Sequence, residues 1–291
     1  MRFEKYFVPS TLKECFELLG QYGESAKILA GGTDLVPLLK NKMISPAAVI
    51  DLRKIPGLGE TKITAEGLEL GAMARLRELS LNKALAADYR IIAEAAGRVS
   101  SIQVRNVATI GGNACNAFPG ADAIHGLMLS DAIAVIQSGA GSREVPIAQF
   151  FVGPEETVLK TGEVLTGFKV PKPVPRTGAH YEKFAIRGDI DISIVGAGAA
   201  ITLAGDGTVA GAVISLGSVA PTPLRVPAVE KMLVGAKLTP ELIERAAKAA
   251  SQSVTPISDQ RASAEYRVEI IRVSIKQALT KALERASGKG A

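Results

Sequence analysis

The chain has 291 residues, enough for about two domains and a large core. Hydrophobic residues make up 47% and charged residues 22%, an ordinary globular balance. Aromatic residues are only 4%, and there is no Trp, so the core must be built from Ala, Val, Ile and Leu. The formal charge of +5 is spread along the chain without a basic run or interleaved aromatics, which argues against nucleic acid as a partner.

Thr11 and Glu14 have the spacing of a capping box, and Leu12, Cys15, Phe16 and Leu19 form one apolar stripe, which predicts a helix over 11–22 with Cys15 in the core. A short strand over 26–30 runs into Gly31-Gly32. A helix over 34–41 carries Pro37 in its first turn, where proline is tolerated, and a second strand covers 47–52. This strand–helix–strand order builds a small parallel sheet. Residues 61–73 read as a hairpin, 75–98 as helices, 121–129 as a helix, 133–137 as a strand, 147–151 as a short helix and 164–170 as a strand.

Three prolines in five residues stiffen Pro171-Lys-Pro-Val-Pro175, and a domain boundary is expected there. Beyond it, long strands turn at Gly205-Asp-Gly207, and helices cover 226–234, 240–252 and 262–286. This half reads as an antiparallel sheet with helices on one face.

Two stretches carry the chemistry. Asn106-Val-Ala-Thr-Ile-Gly-Gly-Asn-Ala-Cys-Asn-Ala-Phe-Pro-Gly-Ala-Asp122 reads as a turn whose Gly111-Gly112 pair lets the backbone approach an anion. Thr109, Asn113 and Asn116 add short polar side chains, and Asp122 a carboxylate suited to a ribose hydroxyl. The second stretch, Ile28-Leu-Ala-Gly-Gly-Thr-Asp-Leu35, places its amides before a helix, another anion site. Two such loops on one chain point to a long ligand with a pyrophosphate in the middle.

Other motifs fail in context. Val195-Gly-Ala-Gly-Ala-Ala200 leads straight towards a hairpin turn instead of a helix, so its glycines belong within a strand. His125 and His180 are the only histidines and have no carboxylate at ligand spacing. No Gly-x-Ser-x-Gly elbow is present. Cys15 and Cys115 are too few for a zinc ribbon or a [2Fe–2S] centre, which needs about four ligands. No apolar h-region follows the first residues and no stretch of about 18 apolar residues occurs, so a cytoplasmic location without a transmembrane segment is expected.

The two glycine segments resemble those of the FAD-binding medium subunit of the molybdenum hydroxylases, a family that includes aerobic carbon monoxide dehydrogenases and bacterial xanthine dehydrogenases. Tyr181-Glu-Lys-Phe-Ala-Ile-Arg187 with Asp191-Ile-Ser-Ile-Val195, Gly217-Ser-Val-Ala-Pro-Thr-Pro-Leu-Arg225 and Asp259-Gln-Arg-Ala-Ser-Ala-Glu-Tyr-Arg267 extend the resemblance over nearly the whole chain. It implies an α+β fold: a two-lobed FAD-binding domain of the PCMH type, with lobes at 1–55 and 56–173, then a C-terminal antiparallel sheet and helix bundle over 174–291.

Carried over by position, Gly31, Gly32, Thr33 and Asp34 line the pyrophosphate, with Leu29, Ala30 and Leu35 flanking it. Thr109, Gly111, Gly112, Asn113 and Asp122 hold the pyrophosphate, ribose and adenine side, with Ala108 and Cys115 packed nearby. Leu165 and Lys183 lie close to the flavin ring, where a cation would stabilise the reduced cofactor. Arg187 and Asp191 are alternatively a mutual pair.

The function implied is electron transfer within a complex. A small partner subunit carries [2Fe–2S] clusters and a large one carries the molybdopterin cofactor, assembled as a dimer of heterotrimers. FAD on this chain passes electrons to NAD+, a quinone or O2. A freestanding FAD-dependent reductase or oxidase of the same fold, and a subunit without flavin, are the alternatives.

Overall fold

The computed structural model describes residues 3–289. The chain opens with β1 (Lys5–Phe7), α1 (Leu12–Tyr22), β2 (Ala26–Leu29), α2 (Leu35–Lys40) and β3 (Ala48–Asp51), and its three strands pair in parallel in the order β1-β3-β2. The central strand β3 is buried along its whole length. Cys15 and Leu19 of α1 pack against this sheet in the first apolar core. The Thr11 hydroxyl accepts from the Glu14 amide at 3.1 Å, as the capping-box spacing predicts. The Glu14 carboxylate, however, reaches one residue further back and accepts from the Ser10 amide at 2.7 Å.

A second lobe follows, with β4 (Thr61–Ile63), β5 (Gly67–Gly71), α3 (Leu76–Leu81), α4 (Arg90–Gly97), α5 (Ile102–Arg105), α6 (Ile110–Asn116) and α7 (Asp122–Leu129). It closes with β6 (Ile133–Ser138), β7 (Gly141–Pro146), β8 (Phe151–Gly153), β9 (Glu156–Thr157) and β10 (Val164–Pro171). The strands make a five-stranded antiparallel sheet in the order β4-β5-β10-β6-β7, plus the small β8–β9 pair. The helix expected over 147–151 is a single 3₁₀ turn at Ile147–Gln149, because the chain enters β8 at Phe151.

After the proline-rich connection come β11 (Thr177–Phe184), β12 (Val195–Leu203), β13 (Val209–Gly217) and β14 (Leu224–Arg225), antiparallel in that order, then α8 (Pro227–Leu233), α9 (Pro240–Ser251) and α10 (Ala264–Ala286). The glycines of 195–200 lie within β12, and close packing explains them. A Cβ on Gly198 would stand 2.7 Å from Leu129 Cδ1 of α7, and one on Gly196 would stand 2.5 Å from the Tyr181 hydroxyl. The sheet therefore receives α7 on one face and α10 on the other. On the α10 side, a Cβ on Gly178 would meet the Ala282 carbonyl and the Ala286 amide at 2.3 Å.

Arg267 of α10 is buried and ties three segments together. It donates to the Ile194 carbonyl at 2.6 Å, the Ser218 carbonyl at 3.1 Å and Asp259 Oδ1 at 2.9 Å. Hydrogen bonds from Arg261, aided by Arg267, hold the Asp259 carboxyl far below the usual carboxylate range.

His125 of α7 is fully buried, stacked on the Tyr181 ring at 4.7 Å, with Nδ1 2.6 Å from Ser215 Oγ. Burial pushes its pKa down from 6.5 to about 3. A base depressed in the folded state contributes stability above its unfolded pKa and loses it as the pH falls towards the folded value. Acidification from pH 7 to pH 5 therefore costs about 2 kcal/mol through this one ring. Thermal unfolding of the wild type should show that loss, and His125→Gln should flatten the profile over the same interval.

Candidate functional site: the cleft between the glycine segments

The two glycine segments meet. An added Cβ on Gly31 would stand 2.2 Å from the Val107 carbonyl oxygen and 2.8 Å from Ala108 Cα. A Cβ on Gly112 would stand 3.6 Å from the Ala30 Cβ, and Asn116 Nδ2 donates to Asp34 Oδ1 at 3.3 Å. The parallel lobe thus rests on the antiparallel lobe, backbone against backbone, along the line the sequence marks with glycine.

The two segments differ in form. Gly31-Gly32 is a turn, and Gly32 has φ +76°, a conformation open to glycine and strained for other residues. Of the amides that follow, those of Gly32, Thr33, Asp34 and Leu35 donate to no main-chain acceptor among the described residues. They stand just ahead of α2, where free N–H groups and the helix dipole favour an anion. The Asp34 side chain bends towards Asn116, and burial together with nearby Glu155 raises its pKa despite the Thr33 hydroxyl.

Gly111-Gly112, in contrast, is not a turn. It is the first turn of α6, capped by Thr109, whose hydroxyl accepts from the Gly112 amide at 3.0 Å. The Gly111 amide donates to the Ala72 carbonyl at 2.8 Å and the Asn113 amide to the Thr109 carbonyl at 2.9 Å, so these amides are spent within the protein. Gly111 serves packing: its Cβ would stand 2.5 Å from that of Ala72. Thr109 and Ala108 are buried. What this segment offers a ligand is side-chain chemistry, above all Asn113, whose Oδ1 is buried and without a hydrogen-bond partner. Cys115 is exposed, because the buried face of α6 is formed by Ile110, Gly111 and Ala114.

Asp122 and Lys183, 61 residues apart, form a buried ion pair with Nζ 2.8 Å from Oδ2. Tyr181 Oη and Ser193 Oγ each donate to Asp122 Oδ1 at 2.7 Å, and Lys183 also donates to the Arg98 carbonyl at 2.9 Å. Burial pushes the Asp122 carboxyl up, opposed by Lys183, Tyr181 and Ser193. Burial and the same carboxylate raise the Tyr181 phenol well above its usual value. Asp122 opens α7, so the helix dipole further favours its charge. Tyr181, Ser193 and Arg98 went unassigned in the sequence, although Tyr181 and Ser193 stand inside the segments that carry the resemblance. Arg187 and Asp191 pair with each other at 2.6 Å on the surface. Leu165 lies in the second lobe's core beside a bulge in β10.

An uncommitted run of amides, an unpartnered buried amide oxygen and a glycine-lined meeting of two lobes suit a dinucleotide, and they define this chain as a nucleotide-cofactor-binding protein. Comparison with known proteins makes the class specific. Residues 1–173 match the family described as FAD binding domain in molybdopterin dehydrogenase, and residues 179–282 match the CO dehydrogenase flavoprotein C-terminal domain. The carbon monoxide dehydrogenase medium chain of Hydrogenophaga pseudoflava is 34% identical over 98% of this chain and 99% of its own length. The 6-hydroxypseudooxynicotine dehydrogenase complex subunit alpha of Paenarthrobacter nicotinovorans is 32% identical over 97% and 95%. The solved carbon monoxide dehydrogenase from Hydrogenophaga pseudoflava that lacks the Mo-pyranopterin moiety superposes with a TM-score of 0.94 at 35% identity, covering 98% of each chain. The chain therefore belongs to the FAD-binding medium subunits of the molybdenum hydroxylases, and is a flavoprotein subunit of a molybdenum-containing oxidoreductase.

Two outcomes follow. Gly31→Asp and Gly112→Asp should each yield protein without visible flavin absorbance, the first chiefly by forcing the lobes apart. Full flavin occupancy in either variant would contradict the geometry. Lys183→Met should cost about 3–5 kcal/mol in thermal or denaturant unfolding by leaving the buried Asp122 charge without its counter-ion. Combining it with Asp122→Asn should recover part of that loss in a double-mutant cycle.

Proposed function

We propose that this chain is the FAD-carrying electron-transfer subunit of a molybdenum hydroxylase complex. In this reading it receives electrons from [2Fe–2S] clusters on a small partner subunit. It passes them to NAD+, a quinone or O2, while a large molybdopterin subunit oxidises the substrate. The observation that carries the reading is the contact of Gly31 with the Val107–Ala108 backbone, which brings both glycine segments to one cleft.

In this proposal the N-terminal lobe (1–55) and the second lobe (56–173) close on FAD, and the 174–291 domain walls the cleft. Support comes from three apolar cores that largely follow these divisions. The amides of Gly32, Thr33, Asp34 and Leu35 hold the diphosphate, flanked by Leu29 and Ala30. Thr109 and Gly112 shape the opposite side, and the Asn113 oxygen accepts from a ligand hydroxyl or amine.

Lys183 and Leu165 are assigned to the flavin end, and Asp122, assigned to the ribose and adenine side, is tied to Lys183 as a buried ion pair. Tyr181, Ser193 and the Arg98 carbonyl hold this buried pair in place within the wall. When bound, FAD accepts electrons singly and releases them as a pair. The chain's own task is to seat it, orient it and exclude water from one side.

Two cysteines cannot ligate the clusters such a pathway requires, so these belong to a partner. Among the described residues no helix is long and apolar enough to cross a membrane. The proposal includes a cytoplasmic location and a dimer of heterotrimers.

Affinity capture of the tagged chain from its native host should bring down iron and molybdenum with flavin, and gel filtration should show one complex. A lone yellow protein, active with its own reductant and free of both metals, would overturn the assignment.

A further inference from the structure

One side chain of the first glycine segment conflicts with its surroundings. The amides there suit an anionic diphosphate, yet Asp34 brings a carboxylate among them, and Glu155 stands near enough to raise its pKa further. Main chain keeps Glu155 close, because its amide donates to the Ala117 carbonyl at 3.2 Å. Negative charge beside an anion site works against the ligand.

The partners of Asp34 resolve the conflict. It stands at the N-cap position of α2, where a carboxylate ordinarily accepts from an amide two or three residues on. Here it caps nothing. Pro37 has no N–H, and the Val36 amide already donates to the Gly32 carbonyl at 2.9 Å. Instead, Oδ2 accepts from the Thr33 hydroxyl at 3.3 Å, and Oδ1 accepts from Asn116 Nδ2 at 3.3 Å, across the boundary between the lobes. Asn116 is the last residue of α6, a helix seated by the close contact of Gly111 with Ala72, so this donor stands on a fixed element. An Asp side chain without such a partner readily bonds amides of its own loop. Those of Gly32, Thr33 and Leu35 donate to no main-chain acceptor among the described residues.

We propose that Asn116 is a positioning residue for the cofactor: it draws the Asp34 carboxylate towards the second lobe and so keeps it off the amides of its own loop. The proposal rests on the reading that these amides seat the diphosphate of FAD. Asn116 then needs no contact with the cofactor, and its worth depends on the charge at Asp34.

The test is titration with FAD of flavin-depleted protein, in the complex in which it purifies, followed by flavin fluorescence. Asn116→Ala should weaken FAD by about tenfold, the worth of one charge-assisted hydrogen bond, and added salt should narrow the deficit. Asp34→Asn keeps an acceptor for Asn116 and removes the charge, so it should bind FAD at least as tightly as the wild type. In that background Asn116→Ala should cost little more, which a merely structural role for Asn116 would not produce. Wild-type affinity in Asn116→Ala, an equal loss in both backgrounds, or a tenfold loss in Asp34→Asn would each overturn the proposal and leave the diphosphate seat standing. Full flavin occupancy in Gly31→Asp would instead remove the seat itself, and the proposal with it.

Discussion

Everything in this chain is arranged around one close approach, the Gly31 backbone against the Val107 carbonyl and Ala108. A methyl group there would overlap a peptide unit that cannot move without displacing α6. The contact fixes the distance between two independently built lobes, one with a parallel sheet and one antiparallel. Because it is made by main chain, its precision does not depend on side-chain rotamers. A cleft that must hold a long, flexible cofactor gains from such walls, since little ordering is left for the moment of binding.

The two walls of the proposed cofactor cleft differ. The N-terminal segment keeps amides unspent ahead of α2, while the second segment uses its amides internally and offers Asn113 instead. Further along, the charged groups Asp122 and Lys183 are held as a pair by Tyr181 of β11, Ser193 of the loop before β12 and the Arg98 carbonyl after α4. Burying such a pair is costly unless every partner is in place. Here three donors meet one carboxylate, and the ammonium has a carbonyl as well. The arrangement is a rigid buried polar cluster, and it couples the sheet of the C-terminal domain to the start of α7.

Much of this was legible in the chain. Apolar periodicity and the Thr11 cap located α1, and the ranges expected for α7, α9 and α10 fall within two residues of the observed helices; in the structure Thr239 and Ser263 hydroxyls cap α9 and α10. The strand placement of 195–200 could be read because a hairpin turn follows it. Gly111-Gly112 misled for an instructive reason. The pair reads as a turn that brings the backbone close to an anion, whereas the closeness it provides is to the protein itself, letting a helix lie on Ala72. The partnership of Asp122 with Lys183, Tyr181 and Ser193 depends on how β11 crosses α7, and no local pattern encodes a crossing.

Arg267 gives the last helix an influence far beyond its own surroundings. Its guanidinium grips the carbonyl of Ile194, and the preceding residue, Ser193, is the one that bonds Asp122. The two N-terminal lobes are therefore not a portable module. Excised at the proline-rich connection, they would lose Tyr181, Lys183 and Ser193 in one cut and leave Asp122 an unaccompanied anion in an apolar wall.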